Sequence, residues 1–480
     1  MRLALAAALL ASLFPAPARA AAPAAPSPWT ACGGELAGQQ CRNVSVPLDH
    51  ARPGGPRITL AVSRVPHAPG GRYQGVLLVN PGGPGGSGRR FAFDVAAALS
   101  PDLRQAYDVI GFDPRGVGAS RPALRCMPRH LAAGRPPYDQ ASGRWLKRSR
   151  AYAGACARRH GALLAHMTTL DSARDLDRIR AALGVQRINY YGGSYGTYLG
   201  AVYATKYPRR VRRMILDSNV RPSRVWYRAN LDQDTAFQRN VTAFLAWTAG
   251  HHRVYRLGRT RKAVERRFYA TRRALDAHPL RAFAGNEFTD LMQVGGYATA
   301  WWPTLAEVWS AWSRDGDASG MLGAHRFIAA KDDNEYAVYN AVGCTDARWP
   351  RRWARWKRDS VKINRRAPFT TWQNTWFNAP CLFWPVPARK PVRITARTKI
   401  LLLQATGDAA TPYAGGLEMH RLLRGSRLVV EDGGRTHVIG LSGNSCVDAR
   451  VRTYLRTGAL PRKGITRCGH LPAPKPSRSS

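Results

Sequence analysis

Between residues 75 and 220, short and mostly apolar runs alternate with stretches of helical periodicity. VLLVN (76–80), YDVIGFD (107–113), RINYYG (187–192) and RMILD (213–217) are too short for core helices and too continuous for half-exposed strands, so they predict buried strands. DSARDLDRIRAALG (171–184) spaces Ala173, Leu176, Ile179 and Leu183 three or four residues apart, which predicts a helix closed by Gly184. TYLGAVYATKYP (197–208) predicts another, stopped by Pro208. Upstream, within residues 29–70, RITLAVSRV alternates as a strand of an antiparallel hairpin does. Strands alternating with helices predict an α/β protein with a mostly parallel, doubly wound sheet and chemistry at the C-terminal strand ends.

From about Val220 to Pro391 that pattern stops. No glycine-ended apolar strand occurs there, yet 12 of the 14 tryptophans do. KILLLQ (399–404) and RLVVE (427–431) then restore it. A sheet interrupted and later resumed predicts a core in two parts, 41–220 and 391–468, around an inserted Trp-rich helical cap at 221–390, with a polar tail at 469–480. The opening MRLALAAALLASLFPAPARA places one Arg before an apolar run and ends in Ala18-Arg19-Ala20, which predicts a secretory signal peptide over 1–20, cleaved near Ala20. Residues 21–40 follow as an N-terminal linker. The apolar run is too short to span a bilayer, so no membrane anchor is expected and the product is read as secreted and extracellular.

Export decides how the eight cysteines are read: as disulfides, since none has zinc-site CxxC spacing. They fall as neighbours, and pairing is taken in that order: Cys32 with Cys41, Cys126 with Cys156, Cys344 with Cys381, Cys446 with Cys468. A catalytic thiol at Cys344 or Cys381 is the rival, without a His in a recognisable context nearby. The formal net charge of +43, from 73 Lys and Arg against 30 Asp and Glu, raises the question of nucleic acid. The cations are scattered, with no basic tail. RRVRR (209–213) is expected as the exposed end before a strand. RRWARWKR (351–358) sets Trp353 and Trp356 on one helix face, with Arg on the solvated side. No nucleic-acid partner is expected; electrostatic association with an anionic cell wall is.

Gly192-Gly193-Ser194-Tyr195-Gly196 fits G-x-S-x-G, with a predicted strand before it and a helix after it. Small neighbours let the Ser adopt a strained turn that lifts its hydroxyl clear of the sheet, so Ser194 is the candidate nucleophile. Such a Ser needs a base, and the base an orienting carboxylate, in the chain order Ser, Asp, His. Asp408 lies just past one late strand and His437 in a glycine-containing loop just past the next. Asp432 is the nearest rival to Asp408. Asn80-Pro81-Gly82-Gly83-Pro84-Gly85-Gly86 follows the first core strand, and its bare backbone suits an oxyanion hole. The donors are read as the amides of Gly83, with Gly82 as alternate, and of Tyr195. There is no GKS/T ending and no GxGxxG register with a downstream ribose acid to support a nucleotide site, and neither metal nor cofactor is expected.

NPGGPGGSG, FDPRGVGAS, TTLDSARDLDRIRAALG, INYYGGSYGTYLGAVYATKYP and the tail from ILLLQATGDAATPY through NSCVDARVRTYL resemble the secreted tripeptidyl aminopeptidases, α/β-hydrolase serine exopeptidases related to proline iminopeptidase. Pro81 stands where those peptidases commonly carry the His of HGGPG. Ala405 and Gly407 flank the acid where relatives more often show a Gly followed later by a bulkier residue. The resemblance implies Ser194 as nucleophile, Asp408 as orienter, His437 as base, and short peptides cut from a free N-terminus by what is expected to be a monomer. A substrate ammonium then calls for cap carboxylates. Glu287, Asp290, Glu307, Glu335 and Asp346 are available, and Asp346 and Glu307 are the expected pair. An esterase or lipase of the same fold is the alternative. A secreted binding protein with a silent site is the non-enzymatic one.

Overall fold

The computed structural model describes residues 27–131, 135–139, 141–280, 283–329 and 332–476, so the predicted signal peptide lies outside the described residues. Ten strands form one sheet: β1 (Thr30–Ala31), β2 (Gln40–Pro47), β3 (Arg57–Val65), β4 (Gly75–Asn80), β5 (Tyr107–Phe112), β6 (Ile188–Gly193), β7 (Val211–Asp217), β8 (Ile400–Ala405), β9 (Ser426–Asp432) and β10 (Ile465–Gly469). Their order is β1-β2-β3-β5-β4-β6-β7-β8-β9-β10. The pairs β1–β2, β2–β3 and β3–β5 are antiparallel, and every pair from β5 to β10 is parallel.

The continuous apolar runs reflect burial on both faces. Leu78, Ile110, Tyr190, Leu216 and Leu402 point into one core, covered by helices Thr169–Ala182 and Tyr195–Lys206. Their neighbours Leu77, Val109, Tyr191, Ile215 and Leu401 point the other way, under helices Gly88–Ala98 and Ser445–Thr457. Leu402 is fully buried, and shortening such a side chain to Ala costs about 2–5 kcal/mol. The register aligns the strand ends: Asn80 pairs with Gly192, Gly193 with Asp217, and Asp217 with Leu403. One edge therefore collects the loops that follow β4, β6, β7, β8 and β9.

Between β7 and β8 the described chain is helical, and helices Tyr227–Gly250, Arg261–Ala277, Gly285–Tyr297 and Trp302–Asp315 share a separate core around Phe268, Phe288, Leu305 and Trp309. Helices Asp333–Asp346 and Trp353–Asn364 instead send Tyr336, Val342 and Trp356 back to the sheet-side core. Helix Ser142–Leu164, which precedes β6, contributes Trp145, stacked on Trp376 at 5.8 Å. Most tryptophans are thus packing residues. Disulfides join Cys32–Cys41, Cys126–Cys156, Cys344–Cys381 and Cys446–Cys468, with no free cysteine among the described residues.

The RRVRR run departs from its expected exposure. β7 already begins at Val211, and Arg213 is buried, donating to Tyr107 Oη and Leu455 O. Its guanidinium ties the strand's entry to the end of helix Ser445–Thr457.

Candidate active site

Ser194 occupies the turn between β6 and helix Tyr195–Lys206 with φ 55° and ψ −125°, a strained backbone for a residue with a Cβ. Two glycines make that turn possible. A Cβ on Gly196 would meet Asn80 O at 2.7 Å, and one on Gly82 would meet Ser194 Cβ at 2.8 Å. The β4 loop therefore lies directly against the turn, and the free N–H groups of the helix start face the same edge.

His437 sits in the loop after β9, with Nδ1 2.9–3.0 Å from both carboxylate oxygens of Asp408. Asp408 is buried and accepts the Ala410 and Thr411 N–H groups at 2.9 and 3.0 Å, and the Thr411 hydroxyl at 2.9 Å. Five contacts fix the carboxylate, so the imidazole it holds is fixed as well. Burial disfavours an imidazolium at His437. The charge and hydrogen bond of Asp408, with Asp217 beyond, outweigh it and hold His437 above its ordinary 6.5. Asp432, the rival acid, is exposed at the end of β9 and paired with Arg467.

Sequence reasoning missed the parts that hold the His437 loop. Asp217, wholly buried at the end of β7, accepts the Ile439 and Gly440 N–H groups and the Tyr191 hydroxyl. Ser218 Oγ accepts the Val438 N–H at 2.8 Å. Burial raises the Asp217 carboxyl, against the lowering effect of these donors. The available signal was an acid ending the apolar run MIL of the strand beside β6, which leads into Ser194. Thr411, three residues past Asp408, carried no signal.

Ser194, Gly83 and His437 line a cavity of about 490 Å³ under the cap, which also exposes Asp290, Glu335, Asp234 and Arg135. The Gly82 N–H is committed to Asn80 Oδ1 at 3.1 Å, which leaves Gly83 as the glycine of that loop facing the cavity. Burial pushes the Asp234 carboxyl up. Asp290 binds Arg135, Tyr138 and Gln373. Ser194, Gly83 and Tyr195 also border a second cavity of about 620 Å³.

The two expected ammonium ligands are not brought to either cavity. Asp346 lies behind the Ser194 turn, accepting from Thr169 N at 2.7 Å, from the Thr169 hydroxyl and from Trp226 Nε1, while Thr169 Oγ1 is 2.9 Å from Tyr195 Oη. Burial pushes its carboxyl up to about 6. It falls at the last turn of helix Asp333–Asp346, while Glu335 at the first turn reaches the cavity. Glu307 is exposed on helix Trp302–Asp315. Glu287 is buried against Arg135.

Among the described residues no group of three or more His, Cys, Asp or Glu is placed to hold a metal ion, and no helix is long and apolar enough to cross a membrane.

Residues 75–439 match the alpha/beta hydrolase fold family. The chain is 43% identical over 464 residues to a tripeptidyl aminopeptidase of Streptomyces coelicolor, covering 91% of this chain and 84% of that protein. It is 32% identical to Serine protease Hip1 of Mycobacterium tuberculosis, covering 92% of this chain and 90% of the relative. It is also 34% identical to Carboxylesterase B of the same organism, covering 92% and 89%.

Proposed function

The chain belongs to the alpha/beta hydrolase fold family as a serine hydrolase of the tripeptidyl aminopeptidase type, and we propose that it is a secreted exopeptidase releasing short peptides, tripeptides foremost, from a free N-terminus. The observation that carries this reading is the grouping of a strained Ser194 and an Asp408-anchored His437 on one cavity that Asp290 and Glu335 also line.

Asp408 holds Nδ1, so Nε2 of His437 is the nitrogen that takes the Ser194 proton as the hydroxyl attacks the peptide carbonyl. The Gly83 and Tyr195 amides receive the developing oxyanion. His437 then protonates the departing amine, and water taken through the same base hydrolyses the acyl-enzyme. The substrate's ammonium enters the acid-lined cavity, where Glu335 and Asp290 balance its charge. A volume of about 490 Å³ suits a ligand of a few residues and stops a longer N-terminal segment. Four disulfides fit a protein working outside the reducing cytoplasm. The proposed partners are peptides with a free N-terminus, and the surplus positive charge favours association with anionic cell-wall polymers.

An esterase is the second reading, favoured by the relative named Carboxylesterase B. Tripeptidyl coumarin amides with free and with acetylated N-termini separate the two. Release from the free form alone is the expected result; equal release from both overturns the exopeptidase reading.

A further inference from the structure

Ser194 stands between two cavities of opposite charge. The first is lined by Asp290 and Glu335 against Arg135, beside Asp234, whose carboxyl burial pushes up. In a chain of 73 cations and 30 acids that balance is inverted. The second is lined by six cations, Arg221, Arg224, Arg228, Arg239, Lys362 and Arg366, against Asp232 and Asp359.

Both acids of the second cavity are already paired. Asp232 binds Arg224 at 2.7 Å, and Asp359 lies 3.3 Å from Arg358 and 3.7 Å from Arg355. Arg221 binds Glu418 at 2.8 Å. That leaves Arg228, Arg239, Lys362 and Arg366, all exposed and without an acidic partner among the described residues. They come from two elements, helix Tyr227–Gly250 and the end of helix Trp353–Asn364 with its following turn. Like charges on facing elements repel, and an anion lying between them relieves that cost.

We propose that this second cavity receives the leaving segment of the substrate and selects for acidic residues just beyond the cleaved bond. The proposal rests on the exopeptidase reading, which puts the ammonium end in the first cavity and so sends the remaining chain past Tyr195 into the second. Hydrolysis itself is unchanged; what differs is how firmly the departing chain is held before the bond breaks. Exposed ion pairs contribute little singly, so the preference needs several acids and screens with salt.

The test uses the full mature enzyme and hexapeptides that share three N-terminal residues and continue with three Asp or three Lys. Release of the N-terminal tripeptide is followed by chromatography at low and high salt. The expected result is a kcat/KM about fivefold or more higher for the Asp tail, shrinking with salt and lost in Arg228→Glu and in Arg366→Glu. Arg450→Glu, an exposed change outside both cavities, keeps the preference. Equal rates for the two tails overturn the proposal. So does a preference that survives both cavity variants, or one that Arg450→Glu removes equally, because either result assigns it to the overall charge. The tripeptidyl coumarin amide has no leaving segment. Failure to cleave it is failure of the exopeptidase reading and removes this inference too; cleavage without tail preference sinks the inference alone.

Discussion

The Asp217 carboxylate accepts the Gly440 N–H at 2.7 Å, and its other oxygen accepts that of Ile439 at 3.1 Å. The end of β7 thereby clamps the loop that carries His437. Asp217→Asn keeps the shape but removes the charge and one acceptor, and a buried amide left unsatisfied costs about 1–3 kcal/mol. The expected outcome is a kcat at least about tenfold lower at similar KM. The acid limb of the pH profile moves down as well, since Asp217 is among the charges that raise His437. Thermal melting together with pH–rate curves checks this. A lower melting temperature with an unmoved limb assigns Asp217 a structural role only.

The base is active only as neutral imidazole. Because Asp408 and Asp217 hold His437 above 6.5, kcat/KM should fall as pH drops through a value above 6.5. In Asp408→Asn the main raising charge is gone, so the limb shifts to lower pH while turnover falls by roughly 10⁴-fold. A limb that stays in place in this variant removes Asp408 from the role of orienter.

Glu335 and Asp346 sit at opposite ends of one helix, and only Glu335 reaches the cavity. Glu335→Gln should raise KM for free-amine substrates and narrow their advantage over acetylated ones by about tenfold. Asp346→Ala should destabilise the fold by about 1–3 kcal/mol through its lost buried hydrogen bonds and leave that advantage intact. Kinetics on the two coumarin amides, with melting curves for both variants, decide between them. The opposite pattern restores Asp346 as the ammonium ligand.

Closing a longer loop restricts the unfolded chain more. The Cys344–Cys381 link spans 37 residues and Cys32–Cys41 only 9. Replacing the first pair with serines should therefore cost more than replacing the second, on the order of 2–4 kcal/mol for the larger loop. Dithiothreitol should lower the melting temperature of the intact protein. Unchanged melting on reduction contradicts the cross-links.

Some of this architecture was legible because it follows from local chemistry. Strands buried on both faces are apolar throughout, and a reactive Ser on a tight turn needs glycines beside it. Buried acids and cap geometry are not local. Asp217 looks like any strand-ending acid until the His437 loop folds over it. Arg213 looks like part of an exposed basic run until the end of a helix near the C-terminus supplies its carbonyl acceptors.

The sequence alone determined the parallel sheet, the interrupted core and the chain order of Ser194, Asp408 and His437, because each rests on residue type and spacing along one polymer. Only the tertiary structure decided which carboxylates line the cavity beside Ser194 and His437 and how charged side chains divide on either side of Ser194. Those depend on which turn of a cap helix faces inward, and a helix repeats its faces every 3.6 residues without marking which one the rest of the fold will cover.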